Sequence, residues 1–313
     1  MIRICLILVL IFSSTTALSA KIADVPAKQV AAHTYVIHGP LGYPDEKNLG
    51  FMNNPGFVIT KTGVVVIDPG SSRYVGEMVL RQIRKITDKP VTHVLNTHIH
   101  GYHWLGNDAF KKAYPKAMFI GHPGMITGAK NGAAEQWLDI MDRSTKGATK
   151  GTKAVIPKTA MDDSEQFKTG GITFKIYAPK KAHSNTDIMI FIPEESVMFL
   201  GDNVLNRRIG RMDDASFRGN INACDVAINT AAKVYVPGHG LTDDIKMVSD
   251  FRSYLTILYQ QVGKYYEQGL TDFEMKPKII PELAIAKNWN GFEAEVGKHI
   301  SLATLEVEAA EFE

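Results

Sequence analysis

Three histidines within six residues constrain this chain more than any other feature. They lie in the segment 97–103, directly after the apolar run 91–95, which has the length and composition of a β-strand. Alternate side chains of an extended backbone point the same way, so His98 and His100 can face one metal ion together. His103 follows where the backbone turns into a helical pattern. Three converging imidazoles suit zinc, although a nitrogen and oxygen site also accepts iron or manganese.

Three further side chains of types that can bind metals stand beside apolar runs of strand length later in the chain: His183, Asp202 and His239. Between the predicted strands, the patterns at residues 103–113 and 221–232 predict helices. Strands that alternate with helices indicate the α/β class, in which loops at strand ends carry the chemistry. An α/β fold would therefore place each of these side chains in a loop at a strand end.

The histidine segment resembles the His-x-His-x-Asp-His motif of the metallo-β-lactamase superfamily, with Tyr102 in the position of the aspartate. Asp202 after a glycine, and the Pro-Gly-His-Gly sequence around His239, are similar to exported hydrolases of the glyoxalase-II-like or quinoprotein-associated type. The resemblance covers residues 30–242 and implies a four-layer αββα sandwich.

The resemblance and the residue patterns together divide the chain into three parts. The domain with the metallo-β-lactamase-like fold is predicted over residues 21–242. Residues 243–313 are rich in helical patterns, and we predict a C-terminal helical appendage that packs on this domain. The remaining residues 1–20 precede the domain.

The resemblance also implies a ligand set. The ligands fall into two groups: His98, His100 and His183 for a first metal, and His103, Asp202 and His239 for a second. Asp202 would bridge both metals and take part in catalysis. Metal-binding histidines usually donate their other nitrogen to a carboxylate or carbonyl group. Asp68 resembles the superfamily aspartate in that supporting role, although its Asp-Pro-Gly context also fits a plain turn. Asp187 is predicted to order the loop of His183.

The replacement of the motif aspartate by Tyr102 changes the charge around the second metal. A phenol ionises at about pH 10, so it brings no negative charge at neutral pH. We expect one tightly bound zinc and a second, weakened site. Our hypothesis is that a neutral Tyr102 donates a hydrogen bond to a metal-bound water or to the substrate. Three histidines and a water remain a sufficient hydrolytic arrangement.

Three arginines follow Asp202 closely: Arg207, Arg208 and Arg211. A guanidinium group binds carboxylate and phosphate groups through two parallel hydrogen bonds, so this cluster is a candidate for the anionic part of a small-molecule substrate. A solvated loop explains the same pattern equally well. The formal net charge of +2 is close to neutral and indicates neither a nucleic-acid partner nor a polybasic membrane contact.

Residues 1–20 have the pattern of a secretory signal peptide, with a positive start, an apolar run and small residues before cleavage after Ser19 or Ala20. An uncleaved anchor is the alternative, but the apolar run is short for a membrane span. Cleavage predicts a periplasmic or secreted protein without a membrane contact. One cysteine, Cys224, then remains, which excludes an intramolecular disulfide.

Two functions are consistent with these features. The first is an exported hydrolase that uses a zinc-activated water on an ester, thioester, lactone or lactam bond. The second is a catalytically impaired metal-binding accessory protein on the same fold, which the loss of the motif aspartate would explain. No pattern in the chain indicates a particular substrate or an oligomeric state.

Overall fold

The structure is a computed structural model that describes residues 22–312. The signal peptide predicted at residues 1–20 lies outside this range. The described chain forms two β-sheets that pack face to face, with helices on both outer faces. No helix within residues 22–312 has both the length and the apolar composition needed to cross a membrane.

The first sheet contains seven strands in chain order: β1 (Lys28–Gln29), β2 (Thr34–Val36), β3 (Gly56–Ile59), β4 (Val64–Ile67), β5 (Val91–Leu95), β6 (Met118–Gly121) and β7 (Thr159–Ala160). Strands β1 to β4 pair antiparallel, and β4 to β7 pair parallel. All four residues of β4 are apolar and buried. Such a strand is typical of a sheet covered on both faces. Val65 and Ile67 pack against the second sheet, whereas Val64 and Val66 pack against helices.

The second sheet contains five strands: β8 (Gln166–Thr169), β9 (Ile172–Tyr177), β10 (Met189–Ile192), β11 (Val197–Gly201) and β12 (Val234–Pro237). Strands β8 to β11 pair antiparallel in chain order, and β12 joins β11 in parallel. The two sheets approach closely at Gly56 of β3, where a side chain would collide with the ring of Phe199 of β11. The apolar layer between the sheets therefore depends on a glycine at this position.

The helices that cover the first sheet are α1 (Arg73–Ile86), α2 (Gly101–Trp104), α3 (Asn107–Ala113), α4 (Pro123–Gly128) and α5 (Ala134–Ser144). A π-helical turn at Ala129–Ala133 joins the last two. Helix α1 begins after Ser72, whose side chain accepts a hydrogen bond from the amide of Val75. The buried side chains of α1 and α3 pack together with those of β3, β4 and β5.

The single helix predicted over residues 103–113 is wrong, because the chain forms α2 and α3 there. Gly106 lies between them, and its amide donates to the carbonyl of Gly70 at 2.7 Å. A Cβ atom on Gly106 would clash with the carbonyl of Pro69. The close contact with the turn after β4 therefore interrupts the helix.

The remaining helices are α6 (Phe217–Asn229), α7 (Ile245–Tyr266), α8 (Asp272–Ile279), a 3-10 helix (Ile280–Ala286) and α9 (Phe292–Ala310). Helix α6 begins four residues before the predicted start at 221, because Ser216 caps it. The C-terminal helices share one apolar cluster with α6, β11 and β12. The predicted helical extension is therefore present and completes the core over the second sheet, while its exact boundary at 242 stays a prediction.

The C-terminal extension also holds the loop that follows β11. The amide of Ile209 donates to the carbonyl of Asn290 at 2.8 Å, and the amide of Asn290 donates to the carbonyl of Arg207 at 2.9 Å. His299 of α9 donates from Nε2 to the carbonyl of Gly210, and its Nδ1 accepts from the hydroxyl of Tyr254, both at 2.8 Å. These contacts fix residues 207–210 against the end of the chain.

Candidate metal centre

The candidate ligands meet at one edge of the sandwich, where strands of both sheets end. Four of the predicted site residues directly follow strands or stand within three residues of a strand end: Asp68 after β4, His98 after β5, Asp202 after β11 and His239 after β12. Strands β4 and β5 are parallel, as are β11 and β12, so the ends of each pair lie side by side. His183 comes from the loop between β9 and β10. All five side chains are buried.

His98, His100 and His183 form a first group of three. One ligand nitrogen from each lies within 4.8 Å of the other two. The Nε2 atom of His183 is 3.0 Å from Nδ1 of His100. Burial lowers the pKa of His183 to about 3 and holds the pKa of His98 well below its usual value. These two imidazoles are therefore neutral at neutral pH, which is the form that binds a metal.

Asp202 lies between the remaining ligands. Its Oδ1 is 3.1 Å from Nε2 of His103, and its Oδ2 is 3.2 Å from Nε2 of His239. Burial acts to raise the pKa of Asp202, but the neighbouring imidazoles outweigh burial and hold this pKa well below its usual value. A second group within 4.8 Å combines Asp202 with His98 and His103. Among residues 22–312 His239 joins no such group, so the predicted second ligand set is looser than the first.

Asp68 supports two of the histidines from outside the centre. Its Oδ2 is 2.7 Å from Nδ1 of His103 and accepts a hydrogen bond from the hydroxyl of Thr97 at 2.6 Å. The Thr97 oxygen in turn lies 2.9 Å from Nδ1 of His98. Burial acts to lower the pKa of His103, but the carboxylates of Asp202 and Asp68 outweigh it and raise this pKa to about 10. The protonated ring of His103 thus places a positive charge between the two carboxylates. A metal cation could take the place of that proton.

Two more contacts orient the ligand loops. The Nδ1 atom of His239 is 2.7 Å from the carbonyl oxygen of Met52, which can only accept. The carboxylate of Asp187 accepts from the amide of Ser184 at 2.6 Å and from its hydroxyl at 2.9 Å, immediately after His183. Asp187 therefore lies where the sequence predicts it, and the effect of its loss on metal binding stays a prediction.

Nε2 of His98 is buried without a hydrogen-bond partner, and Nε2 of His103 and Oδ1 of Asp202, although 3.1 Å apart, are not aligned for a hydrogen bond. Each buried polar group without a partner costs about 1–3 kcal/mol. A divalent cation binds imidazole nitrogen and carboxylate oxygen together and would satisfy all three. The residues present therefore fit a metal ion, and this donor set suits zinc, iron or manganese.

Tyr102 lies within this cluster. Its hydroxyl is 3.1 Å from Nδ1 of His100 and donates to Oδ2 of Asp202 at 3.3 Å. Burial, together with the negative charge of Asp202, raises the pKa of Tyr102 well above its usual value. The phenol is therefore protonated at neutral pH, and its hydroxyl is a hydrogen-bond donor inside the site.

A cavity of about 340 Å³ opens beside the centre and includes Tyr102, Asp202 and His239 in its lining. Its other walls are largely apolar and come from several elements. They include Met52, Trp137, Ile140, Met141, Leu205 and Ile209. A small organic molecule of this size would contact the ligand cluster at one end and apolar side chains along most of its surface.

The three arginines after Asp202 occupy different places. Arg208 is 6% exposed and lines the cavity. Its guanidinium donates to the carbonyls of Leu41 and Gly42 at 3.0 and 3.4 Å, and no acidic residue within 22–312 forms an ion pair with it. A buried charge without a counter-ion favours an anionic ligand.

Arg211 and Arg207 are exposed, unlike Arg208. Arg211 also lines the cavity, but it is exposed and its Nε donates to Asp213 at 2.9 Å. The structure does not bring Arg207 to the cavity. That residue is exposed and lines a separate surface pocket with Asp243 and Asp250. Of the three arginines predicted to bind the substrate, only the buried Arg208 and the exposed Arg211 therefore line the cavity.

Sequence reasoning missed three partners of the ligands: Thr97, the carbonyl of Met52 and Asp214. Asp214 Oδ2 is 3.2 Å from Nε2 of His100, 114 positions away in the chain. Thr97 could have been found, because it is a hydroxyl residue directly before the first ligand. A backbone carbonyl and a distant loop carboxylate leave no signal in the pattern.

Two packed sheets between helices, with a buried histidine and carboxylate cluster at one edge, define a class of hydrolase-like proteins that can hold metal ions. Sequence comparison identifies the family within that class. The family model described as the metallo-beta-lactamase superfamily matches residues 49–239, so the chain belongs to this superfamily. The predicted family and the predicted fold are both confirmed.

Solved structures agree on the fold. A metallo-beta-lactamase from Pontibacter korlensis superposes with a TM-score of 0.60 at 20% identity, over 74% of this chain and 99% of its own. The metallo-beta-lactamase IND-7 superposes with a TM-score of 0.60 at 16% identity, over 75% of this chain and 100% of its own. The inverting sec-alkylsulfatase Pisa1 from Pseudomonas sp. superposes with a TM-score of 0.70 at 14% identity, over 90% of this chain and 50% of its own. This chain therefore spans half the length of that enzyme. Identities this low show a shared fold alone.

Proposed function

We propose that this protein is an exported metal-dependent hydrolase, with zinc as the first candidate metal. The observation that carries the proposal is the cluster of buried nitrogen and oxygen ligands, with three polar atoms that form no hydrogen bond, beside a cavity for a small organic molecule. His98, His100 and His183 would hold one cation, and Asp202 with His103 and His239 a second. When bound, such cations lower the pKa of a coordinated water and polarise the bond to be cleaved.

The side chains around the cations have separate tasks. Asp202 supplies the negative charge shared by both groups of ligands, and it lies in the cavity lining. Tyr102 remains a neutral phenol, because burial and Asp202 raise its pKa. We propose that its hydroxyl donates a hydrogen bond to the oxygen on which negative charge develops during cleavage. With tyrosine in the aspartate position, the second cation loses a charged ligand and binds more weakly than the first.

The cavity favours a particular substrate class. Its largely apolar walls suit an aliphatic or aromatic body, and Arg208 offers a buried positive charge. We propose a small amphiphilic molecule with one anionic group, joined through an ester, thioester, lactone or lactam bond. Structural neighbours described as a β-lactamase and an alkylsulfatase add lactams and sulfate esters to the compounds worth testing.

The proposed activity is tested by hydrolysis of such a panel, with and without an anionic substituent. A chelator should abolish turnover and added zinc should restore it. His98→Ala and Asp202→Ala should each remove most of the activity, and turnover retained in both variants would overturn the assignment. Arg208→Leu should raise KM for anionic substrates and leave KM for neutral analogues nearly unchanged, which separates the substrate class from the chemistry.

A second candidate function is a metal-binding accessory protein without turnover. It is favoured by one observation, that His239 belongs to neither of the two compact groups of ligand atoms found within residues 22–312. The resemblance, which puts Tyr102 in the place of the motif aspartate, agrees with it. Elemental analysis of the purified protein before and after zinc titration distinguishes the two. One or two bound metals with turnover support the hydrolase, whereas bound metal without turnover across the whole panel supports the accessory protein.

Export forms part of the proposal and rests on the sequence of residues 1–20. N-terminal sequencing of the protein recovered from the periplasm or the medium should give Ala20 or Lys21 as the first residue. Recovery of the full-length chain in the membrane fraction would contradict cleavage and favour an anchor.

A further inference from the structure

We infer that Asp214 is a positioning residue that orients His100 for the first metal, and that helix α9 keeps Asp214 in place. The inference rests on the proposed metal centre. It concerns a contact that the ligand motif does not contain, between the histidine segment and a loop of the second half of the chain.

His100 presents its two ring nitrogens to different surroundings. Its Nδ1 faces the centre, 3.0 Å from Nε2 of His183. Its Nε2 therefore points away from the cluster, where Oδ2 of Asp214 lies 3.2 Å away. A carboxylate that accepts a hydrogen bond from the outer nitrogen fixes the tautomer in which the inner nitrogen has a free lone pair. It also makes that nitrogen a more basic ligand.

The other histidines of the cluster show why this contact matters. The outer nitrogen of His103 meets the buried carboxylate of Asp68, and that of His239 meets a buried carbonyl. His100 reaches a cleft at the surface instead, because the side chain of Asp214 is 67% exposed. Trp137 packs against the same ring, with its centroid 5.0 Å from that of His100. Trp137 and Asp214 together set the direction in which Nδ1 points.

An exposed pair of this kind contributes little to folding, since water competes for both partners. It can orient a ligand only if the backbone brings the carboxylate to the ring. The loop that carries Asp214 is held on both sides by α9. Lys298 of α9 pairs with the adjacent Asp213 at 2.5 Å, and Glu306 of α9 accepts from the Ser216 hydroxyl at 2.9 Å.

Two further contacts with α9 hold the same loop. His299 donates to the carbonyl of Gly210 at 2.8 Å, and the amide of Phe217 donates to Glu306 at 2.7 Å. The loop between residues 210 and 217 is thus attached at both ends and next to its middle. Folding therefore already removes most of the conformational entropy of the loop that carries Asp214. Metal binding to His100 then has little additional entropy cost.

The test compares zinc affinity of the full-length mature protein and of Asp214→Asn, measured by competition with a chromophoric chelator. Asp162→Asn is the matched control, because Asp162 is 60% exposed and lies 3.5 Å from Nε2 of His122, which is outside the metal cluster. Asp214→Asn should weaken the tighter zinc site by tenfold or more, as losses of such outer partners do. Asp162→Asn should retain the wild-type affinity.

Two additional measurements distinguish orientation from general damage. The melting temperature of the metal-free protein should be the same for Asp214→Asn and wild type. With cobalt in place of zinc, the visible absorption spectrum should change in Asp214→Asn and not in Asp162→Asn. Lys298→Ala, which loosens the loop from α9, should produce a smaller loss of zinc affinity in the same direction.

Equal zinc affinity in Asp214→Asn and wild type would overturn the inference and leave the hydrolase proposal intact. Equal losses in Asp214→Asn and Asp162→Asn would also overturn it, since they would show a general effect of charge. A wild-type protein that binds no zinc or cobalt would overturn both the inference and the proposed function.

Discussion

His299 provides the sharpest test of how the C-terminal helix is bound to the core. The imidazole is buried between Tyr254 and the carbonyl of Gly210. The carbonyl can only accept, so Nε2 carries a proton, and in the neutral form Nδ1 accepts from the Tyr254 hydroxyl. Burial lowers the pKa of His299 from 6.5 to about 4. Protonation would place a charge in this layer and give Nδ1 a proton that points at the Tyr254 hydroxyl.

The sign of the pH effect follows from proton binding. Between pH 6.5 and about 4 the unfolded chain carries a proton on this histidine and the folded chain does not. Stability therefore rises with pH in this window and is lost as the pH falls through it. The full displacement corresponds to about 3 kcal/mol, at about 1.4 kcal/mol for each pKa unit. At about pH 5 the loss from this one residue is about 2 kcal/mol.

The perturbation is His299→Gln. Glutamine can donate to the Gly210 carbonyl and accept from Tyr254, but it does not titrate. Urea unfolding of both proteins in chelator, at about pH 7.5 and about pH 5, should show that wild type loses about 2 kcal/mol more than the variant between the two conditions. The other buried histidines contribute equally to both proteins and cancel. Lys287→Gln, a change at an exposed position of the same C-terminal region, should keep the wild-type pH dependence. An identical pH dependence in wild type and His299→Gln would refute the reasoning.

Three other changes probe the metal centre directly. Asp68→Asn leaves buried donors of Thr97 and His103 without a carboxylate, so the metal-free protein should lose about 3 kcal/mol in chemical denaturation; a loss under about 1 kcal/mol would contradict the support assigned to Asp68. Gly238→Ala puts a Cβ atom against Oδ1 of Asp202, so elemental analysis should find less bound metal in this variant. Gly263 on α7 faces open space, so Gly263→Ala should leave the metal content unchanged. Tyr102→Asp restores a charged ligand and should tighten the second metal in a zinc titration; unchanged affinity would mean that Tyr102 does not occupy the place of the motif aspartate.

Sequence patterns predicted those parts of the structure that depend on local composition. The apolar run of β4 and the strands that alternate with helices gave the α/β class, whereas the sandwich of two sheets came from the resemblance to the superfamily. The spacing of histidines in residues 98–103 gave side chains that do converge. The helix over 103–113 was mispredicted because its periodicity continues across Gly106, and only the tertiary contact with Gly70 interrupts it.

The supporting contacts could not be predicted, because they depend on which loops the fold brings together. Asp214 reaches His100 from the second half of the chain, and the carbonyl of Met52 has no side-chain signature. Arg207 and Arg208 are adjacent in sequence, yet one is exposed and the other is buried in the cavity wall. A positive φ of 51° at Arg207 helps to send the two side chains in different directions, and no spacing rule indicates it.

The position of α9 also determines when the site can form during biosynthesis. Helix α9 completes the apolar cluster over the second sheet and attaches the loop that faces His100, yet it is the last helix of the described chain. A nascent chain still lacking residues 292–310 has every proposed ligand but lacks the helix that anchors this loop. We therefore expect full zinc affinity only once these residues have folded onto the core. The metal that occupies the site is then set by the ions available in the compartment where the finished chain folds.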